Sequence, residues 1–193
     1  MKILITGSAG FIGFHLCNFL LKKNFKVFGL DNLNHYYDIK LKKKRLGILK
    51  KSKNFKFFKI DLSNKIALNR AFKKIKIDYV VNLAAQAGVR YSISNPDAYL
   101  KSNLIGFCNL LNLIKEKKIK HFLFASTSSV YGVDDSKAFK EDYPAVFPIQ
   151  FYAATKRSNE LIAHSYSYIY KIPSTALRFF TVYGPWGRPD MAL

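Results

Sequence analysis

Two clusters in this chain have residue types at spacings that can do chemistry. The first is Tyr152-Ala-Ala-Thr-Lys156, preceded by Ser126-Thr127-Ser128-Ser129-Val130-Tyr131-Gly132. Tyr152 and Lys156 stand four apart and share one face of a helix. A phenol, with a reference pKa of about 10, is a poor base at neutral pH. A neighbouring ammonium and an oxidised nicotinamide both favour the phenolate and lower that pKa. The phenolate can then take the proton of an alcohol while the alcohol carbon gives hydride to the nicotinamide. A hydroxyl from the serine-rich stretch can hold the same oxygen. A tyrosine and lysine four apart are common by chance. Their place at a helix start, after a hydroxyl-rich strand end, is what makes this pair specific.

The second cluster is Lys2-Ile-Leu-Ile-Thr-Gly7-Ser-Ala-Gly10-Phe-Ile-Gly13. It reads as a short buried strand, a glycine turn and a helix. Gly7 permits the tight turn, Gly10 leaves room for a pyrophosphate, and Gly13 lets the helix pack closely. The helix opened by Phe11 and Ile12 offers free N–H groups and a positive dipole end to phosphates. A glycine triplet alone is a weak signal. Here it is followed by a second strand, Val27-Phe-Gly-Leu-Asp31, that ends in an acid. Asp31 suits both ribose hydroxyls of an adenosine and repels a 2′-phosphate, and no arginine follows it directly. NAD is therefore expected over NADP, with Asn32 also among the cofactor-binding residues. Asp61-Leu62 closes the third strand, where the acid can accept from the adenine amino group.

These residues need a scaffold, and strand and helix signals alternate along the whole chain. Strands are expected near 2–6, 25–30, 55–60, 79–83, 121–125 and 174–178. Helices are expected over 10–23, 39–50, a stretch after Ser63 (a candidate N-cap) to 74, 95–117 and 151–170. This pattern implies an α/β fold, a doubly wound parallel sheet of the Rossmann type with helices on both faces. Ligands of such sheets bind at the carboxyl ends of the strands. No internal repeat or linker divides residues 1–193, which read as one dinucleotide-binding domain.

The net charge of +20 is large, but only six of the 32 basic residues are arginine. The runs Lys42–Arg45, Lys50–Lys53 and Lys115–Lys120 read as solvated helix faces and ends, not as a nucleic-acid surface. Cys17 and Cys108 fall in apolar helical runs outside any metal-ligand spacing, so buried reduced thiols are expected and no metal. No apolar run is long enough to cross a membrane, and no secretory leader precedes the first strand, so a cytoplasmic enzyme is expected.

With these motifs in place, the chain resembles the extended short-chain dehydrogenase/reductases that act on nucleotide sugars, the NAD-dependent epimerase/dehydratase family. The resemblance covers the whole chain. It implies that Tyr152 is the catalytic base, that Lys156 assists it and binds the nicotinamide ribose, and that Thr127 is the catalytic hydroxyl. It further implies that Asn103 belongs to the cofactor shell, that Leu83, Ala84 and Ala85 pass beside the cofactor, and that Phe180 lies near the nicotinamide. Dehydratases of the family carry Asp-Glu after the catalytic threonine, and the decarboxylases a Glu in this patch. Ser128 and Ser129 stand there instead, which points to epimerisation.

The segments Asn32–Asp38, Ala85–Tyr91 and Arg178–Asp190 are most similar to those of UDP-glucuronate 4-epimerases. Arg188, in a loop at the carboxyl edge of the sixth strand, suits bidentate binding of a sugar carboxylate. Arg90, Ser128, Ser129 and Thr181 are further candidates for the sugar. The expected substrate is UDP-glucuronate, interconverted with UDP-galacturonate through a 4-keto sugar. The alternatives are an epimerase or reductase of a neutral UDP- or dTDP-hexose, and a non-catalytic NAD-binding module. The resemblance also implies a further substrate-binding lobe beyond Leu193, and a homodimer formed through helices carrying Leu104, Phe107, Leu111, Leu161 and Ile169.

Overall fold

A computed structural model describes residues 1–133 and 138–189. The Asp190 end of the segment from Arg178, and the chain end at Met191–Leu193, lie outside the described residues. So does part of the loop between the fifth strand and the last helix.

Six parallel strands form one sheet in the order β3-β2-β1-β4-β5-β6. They are β1 (Lys2–Thr6), β2 (Lys26–Asp31), β3 (Phe55–Lys59), β4 (Tyr79–Asn82), β5 (His121–Thr127) and β6 (Ser174–Phe179). The order reverses between β1 and β4, so the crevice for a ligand opens at the carboxyl ends of these strands. Register follows from alternation. Leu4, Phe28, Leu30, Val80, Phe122 and Phe124 face one side, onto Phe107, Leu110 and Leu111. Ile3, Ile5, Val27 and Val81 face the other, onto Phe14, Cys17 and Leu46. Such two-sided burial is why the strands read as continuous apolar runs. β6 lies at the sheet edge and is largely solvent-accessible.

The helices are α1 (Phe11–Lys22), α2 (Ile39–Leu49), α3 (Lys65–Phe72), α4 (Tyr91–Ser94), α5 (Pro96–Tyr99), α6 (Gly106–Ile114) and α7 (Phe151–Tyr170). The short α4 is not in the sequence reading, and three further differences stand out. Asn64, not Ser63, caps α3, accepting from the Ala67 N–H at 3.0 Å. Ser63 instead donates to Asp61 through both its N–H and its hydroxyl. The long helix expected over 95–117 is α5 and α6 joined by a π-helical stretch, Leu100–Ile105. Asn103 is buried within this stretch.

The third difference is in α2. The run Lys42–Arg45 is not wholly solvated: Lys42 is 5% exposed and Arg45 is 0% exposed. Only Lys43 and Lys44 of the run face solvent. A helix turns inward every third or fourth residue, so 42, 45, 46 and 49 share the buried face. Of the large residues expected at a dimer face, Phe107 and Leu111 are consumed by the core. Leu161 and Ile169 remain exposed, as do Leu100, Ile105 and Tyr168. Cys17 is buried and Cys108 half-buried, both as free thiols.

Candidate active site

The carboxyl ends of the strands enclose one cavity that joins both clusters. Its floor is the glycine turn. Gly7 has φ +67°, and a Cβ there would lie 2.8 Å from the Ala84 amide nitrogen. A Cβ on Gly13 would overlap the Gly7 carbonyl. Both positions therefore require glycine. α1 begins at Gly10 with no side-chain cap, which leaves its first amides for an anion. Gly7, Gly10, Phe11, Ile12 and Gly13 all line the cavity.

Asp31, 7% exposed, stands at the end of β2 and accepts from the N–H groups of Ala9 (3.1 Å) and Leu33 (2.8 Å). Burial pushes its carboxyl up, while those two amides and the charges of Lys42 and Arg45 pull it back. The chain has no cation adjacent in sequence, yet α2 brings two close in space. Lys42 donates to the Asn34 backbone and side-chain oxygens at 2.8 and 2.6 Å and sits over the Tyr37 ring. Asp61 is tied to Ser63 and to the Asn32 amide (3.1 Å). Burial alone would raise its carboxyl, but these hydrogen bonds hold it below the usual carboxylate range. Asn32, Asp61, Leu62, Leu83, Ala84 and Ala85 complete this half of the wall.

Thr127, Tyr152, Lys156, Phe180 and Arg188 also line the cavity. Tyr152 and Lys156 occupy the first turns of α7, and Thr127 ends β5. Burial pushes the Tyr152 phenol above its ordinary pKa, with Thr127 and the Arg188 charge opposing it. The expected lowering by Lys156 is therefore not what the chain alone gives, because removal from water dominates. Lys156 is itself sealed, and burial lowers its ammonium to about 8, with the Glu160 charge opposing. Glu160 receives Ser126 Oγ (2.5 Å), Arg157 (2.7 Å) and both nitrogens of an Arg178 fork (3.0 and 2.9 Å). This pins β5, β6 and α7 together beneath Tyr152 and Lys156.

Asn103 does not line the cavity. It holds the wall from behind, bonding Gln86 and Thr155, while Thr155 Oγ1 donates to the Tyr152 carbonyl at 2.7 Å. Arg188 lies half-buried with its guanidinium 5.6 Å from the Tyr36 ring centre. The remaining sugar candidates fall outside the cavity lining. Arg90 is exposed at the start of α4, and Thr181 is exposed between the lining residues Phe180 and Val182. Ser128 and Ser129 occupy a one-turn 3₁₀ helix (Ser128–Tyr131), where Ser129 touches Thr127 Oγ1 through its N–H and its hydroxyl, each at 3.2 Å. The lining residues that sequence reasoning missed include Asn34, Tyr36, Tyr37, Lys42, Gln86 and Ser102. The helical period of α2 was the available signal for Lys42. The aromatic pair carried none beyond being polar and bulky in a loop.

A sequence profile of the GDP-mannose 4,6 dehydratase family matches residues 4–192. The chain is 53% identical over 193 residues to Protein CapI of Staphylococcus aureus, covering 100% of this chain and 58% of that protein. It is 51% identical over its whole length to a probable UDP-glucuronate 4-epimerase of Rhizobium meliloti, of which it covers 57%. Among solved structures it is similar to the UDP-glucuronic acid 4-epimerase of Bacillus cereus in complex with UDP-glucuronic acid and NAD. The TM-score is 0.92 and the identity 41%, over 100% of this chain and 60% of that one. The chain thus spans under two thirds of the length of the relatives it matches.

Proposed function

This chain belongs to the GDP-mannose 4,6 dehydratase family of extended short-chain dehydrogenase/reductases, and from that membership we propose that it acts as an NAD-dependent nucleotide-sugar 4-epimerase, interconverting UDP-glucuronate and UDP-galacturonate. The observation that carries this reading is a single cavity lined both by the glycine turn and Asp31 and by Thr127, Tyr152, Lys156 and Arg188.

The residues present fit NAD. The glycine turn has no room for a Cβ at Gly7 or Gly13, the first amides of α1 are uncapped, and a buried carboxylate ends β2. Gly10, Phe11, Ile12 and Gly13 would hold the pyrophosphate, Asp31 and Asn32 the adenosine ribose, Asp61 and Leu62 the adenine. Leu83, Ala84, Ala85, Phe180 and Lys156 would hold the nicotinamide half, with Asn103 fixing the wall behind it. When bound, NAD supplies a reversible hydride acceptor at the sugar C4.

Tyr152 removes the proton of the C4 hydroxyl and returns it after the ketone has turned over. Thr127 shares that oxygen by hydrogen bonding. Lys156 supplies the positive charge that makes the phenolate accessible, against the burial that opposes it. Ser128 and Ser129 bring no carboxylate to this patch, so no group here stands ready to eliminate water from the ketone. Ser129 steadies Thr127. Arg188 takes the sugar carboxylate in a fork, which also restrains the 4-keto acid from losing CO₂. The exposed face of α7, with Leu161, Tyr168 and Ile169, and of the π stretch, with Leu100 and Ile105, suits pairing of two copies.

The test is turnover of UDP-glucuronate beside UDP-glucose with NAD added, the product being resolved by chromatography. Formation of UDP-galacturonate supports the reading. Formation of UDP-galactose with no conversion of UDP-glucuronate would assign the site to a neutral sugar instead.

A further inference from the structure

Arg45 is the largest fully buried side chain of the described molecule. Its guanidinium makes no ion pair among the described residues. Instead Nη1 donates to the Ala9 carbonyl (3.0 Å) and the Tyr37 hydroxyl (2.7 Å), while Nη2 donates to the carbonyls of Trp186 (2.5 Å) and Gly187 (3.2 Å). A cation removed from water whose hydrogen bonds all go to neutral oxygens is a costly element of a fold. What it joins is specific. Ala9 lies inside the glycine turn, and its N–H donates to Asp31. Trp186 and Gly187 immediately precede Arg188. The same loop is held by His15, whose Nε2 is 2.8 Å from the Pro185 carbonyl, and by Phe14, whose ring centre is 5.7 Å from that of Trp186. Trp186 itself has φ +63°, a left-handed backbone that a bulky residue adopts only when its surroundings hold it there.

We propose that Arg45 is a positioning residue for substrate recognition. It clamps the loop of Gly184–Arg188 against the dinucleotide turn and thereby sets the Arg188 guanidinium at the cavity. The proposal rests on the reading of Arg188 as the carboxylate-binding group. The planar fork suits the task because its two nitrogens point in different directions, one to the turn and one to the loop. A lysine ammonium offers one point and cannot bridge both.

Two measurements test it on Arg45→Met and Arg45→Lys. The first is the ratio of kcat/KM for UDP-glucuronate to that for UDP-glucose. Misplacing an orienting clamp by about 1 Å costs on the order of 10²-fold, so the ratio should fall at least about tenfold in both variants, mainly through KM. A loss of stability alone would lower both substrates together, and an unchanged ratio overturns the proposal. The second is acrylamide quenching of Trp186, the chain's one tryptophan, in NAD-saturated protein. Quenching should rise in both variants, and equal quenching in parent and variants overturns the clamp. If Arg188→Ala leaves the substrate ratio unchanged, the carboxylate reading has failed, and the quenching result still decides whether Arg45 places the loop. Should Arg45→Met not fold, Arg45→Lys, which keeps the charge, decides both measurements by itself.

Discussion

Asn103 grips both backbone polar groups of Gln86. Its Oδ1 accepts from the Gln86 N–H at 2.8 Å, and its Nδ2 donates to the Gln86 carbonyl at 3.1 Å. Nδ2 also donates to Thr155 Oγ1 at 3.0 Å, which carries the contact to the turn of α7 bearing Tyr152. Asn103 is 1% exposed. Asn103→Asp keeps the size and the acceptor but deletes both donor contacts and buries a charge. Each buried group left unsatisfied costs about 1–3 kcal/mol. Urea unfolding should show a loss of at least about 2 kcal/mol, with weaker NAD binding by calorimetry. A loss under about 0.5 kcal/mol would mean that water replaces the amide.

Lys156 makes a signed prediction about pH. Burial lowers its ammonium from 10.5 to about 8 in the folded chain. Above the folded value the native state has shed this proton while the unfolded chain still carries it. The unfolded state therefore binds more protons across that window, and stability rises with pH through this group. The penalty of the buried charge is fully present below pH 8. Stability curves of the parent and Lys156→Met should thus differ by an amount that shrinks between about pH 8 and 10.5, the whole change being of order 3 kcal/mol. A difference that is flat with pH would show that Lys156 is not desolvated as its burial requires.

For cofactor choice, Asp31→Ala should weaken NAD binding by about 10- to 100-fold, the worth of hydrogen bonds to a charged acceptor. It should weaken NADP binding much less, because Lys42 then stands uncontested beside the ribose position, its Nζ 2.8 and 2.6 Å from the two Asn34 oxygens. Calorimetric titration of both nucleotides decides this. Equal losses for the two would remove Asp31 from the ribose site.

Arg188→Ala should raise the KM for UDP-glucuronate by an amount worth about 2 kcal/mol or more, since it strips one partner from a charged pair. UDP-glucose carries no carboxylate and should lose little. Steady-state kinetics with both sugars measures the difference, and parallel losses would make Arg188 a general loop residue.

The sheet is legible in the sequence because each inner strand is buried on both faces and each boundary is marked. The three glycines, Asp31, Asp61, and the Tyr152 and Lys156 pair can be located for the same reason: turns and helix turns fix their spacing locally. Charge alone suggests water around Lys42 and Arg45, whereas their helical phase puts them on the inner face with Leu46 and Leu49. The π stretch is invisible because nothing in Leu100–Ile105 departs from an ordinary helical pattern. Arg90, Ser128, Ser129 and Thr181 group with the sugar site by chemistry alone. Their placement outside the cavity lining depends on loop paths that spacing does not encode.

Tyr152→Phe tests the central claim most directly. The substitution keeps the ring, which packs edge-on against Tyr99 at 6.0 Å, and deletes only the phenolic oxygen. NAD binding and thermal midpoint should stay close to the parent. Turnover of UDP-glucuronate should fall by about 10²–10⁴-fold, the usual contribution of a positioned base. If Tyr152→Phe turns over within about threefold of the parent, far short of that contribution, Tyr152 is not the base and the cavity is a dinucleotide site alone.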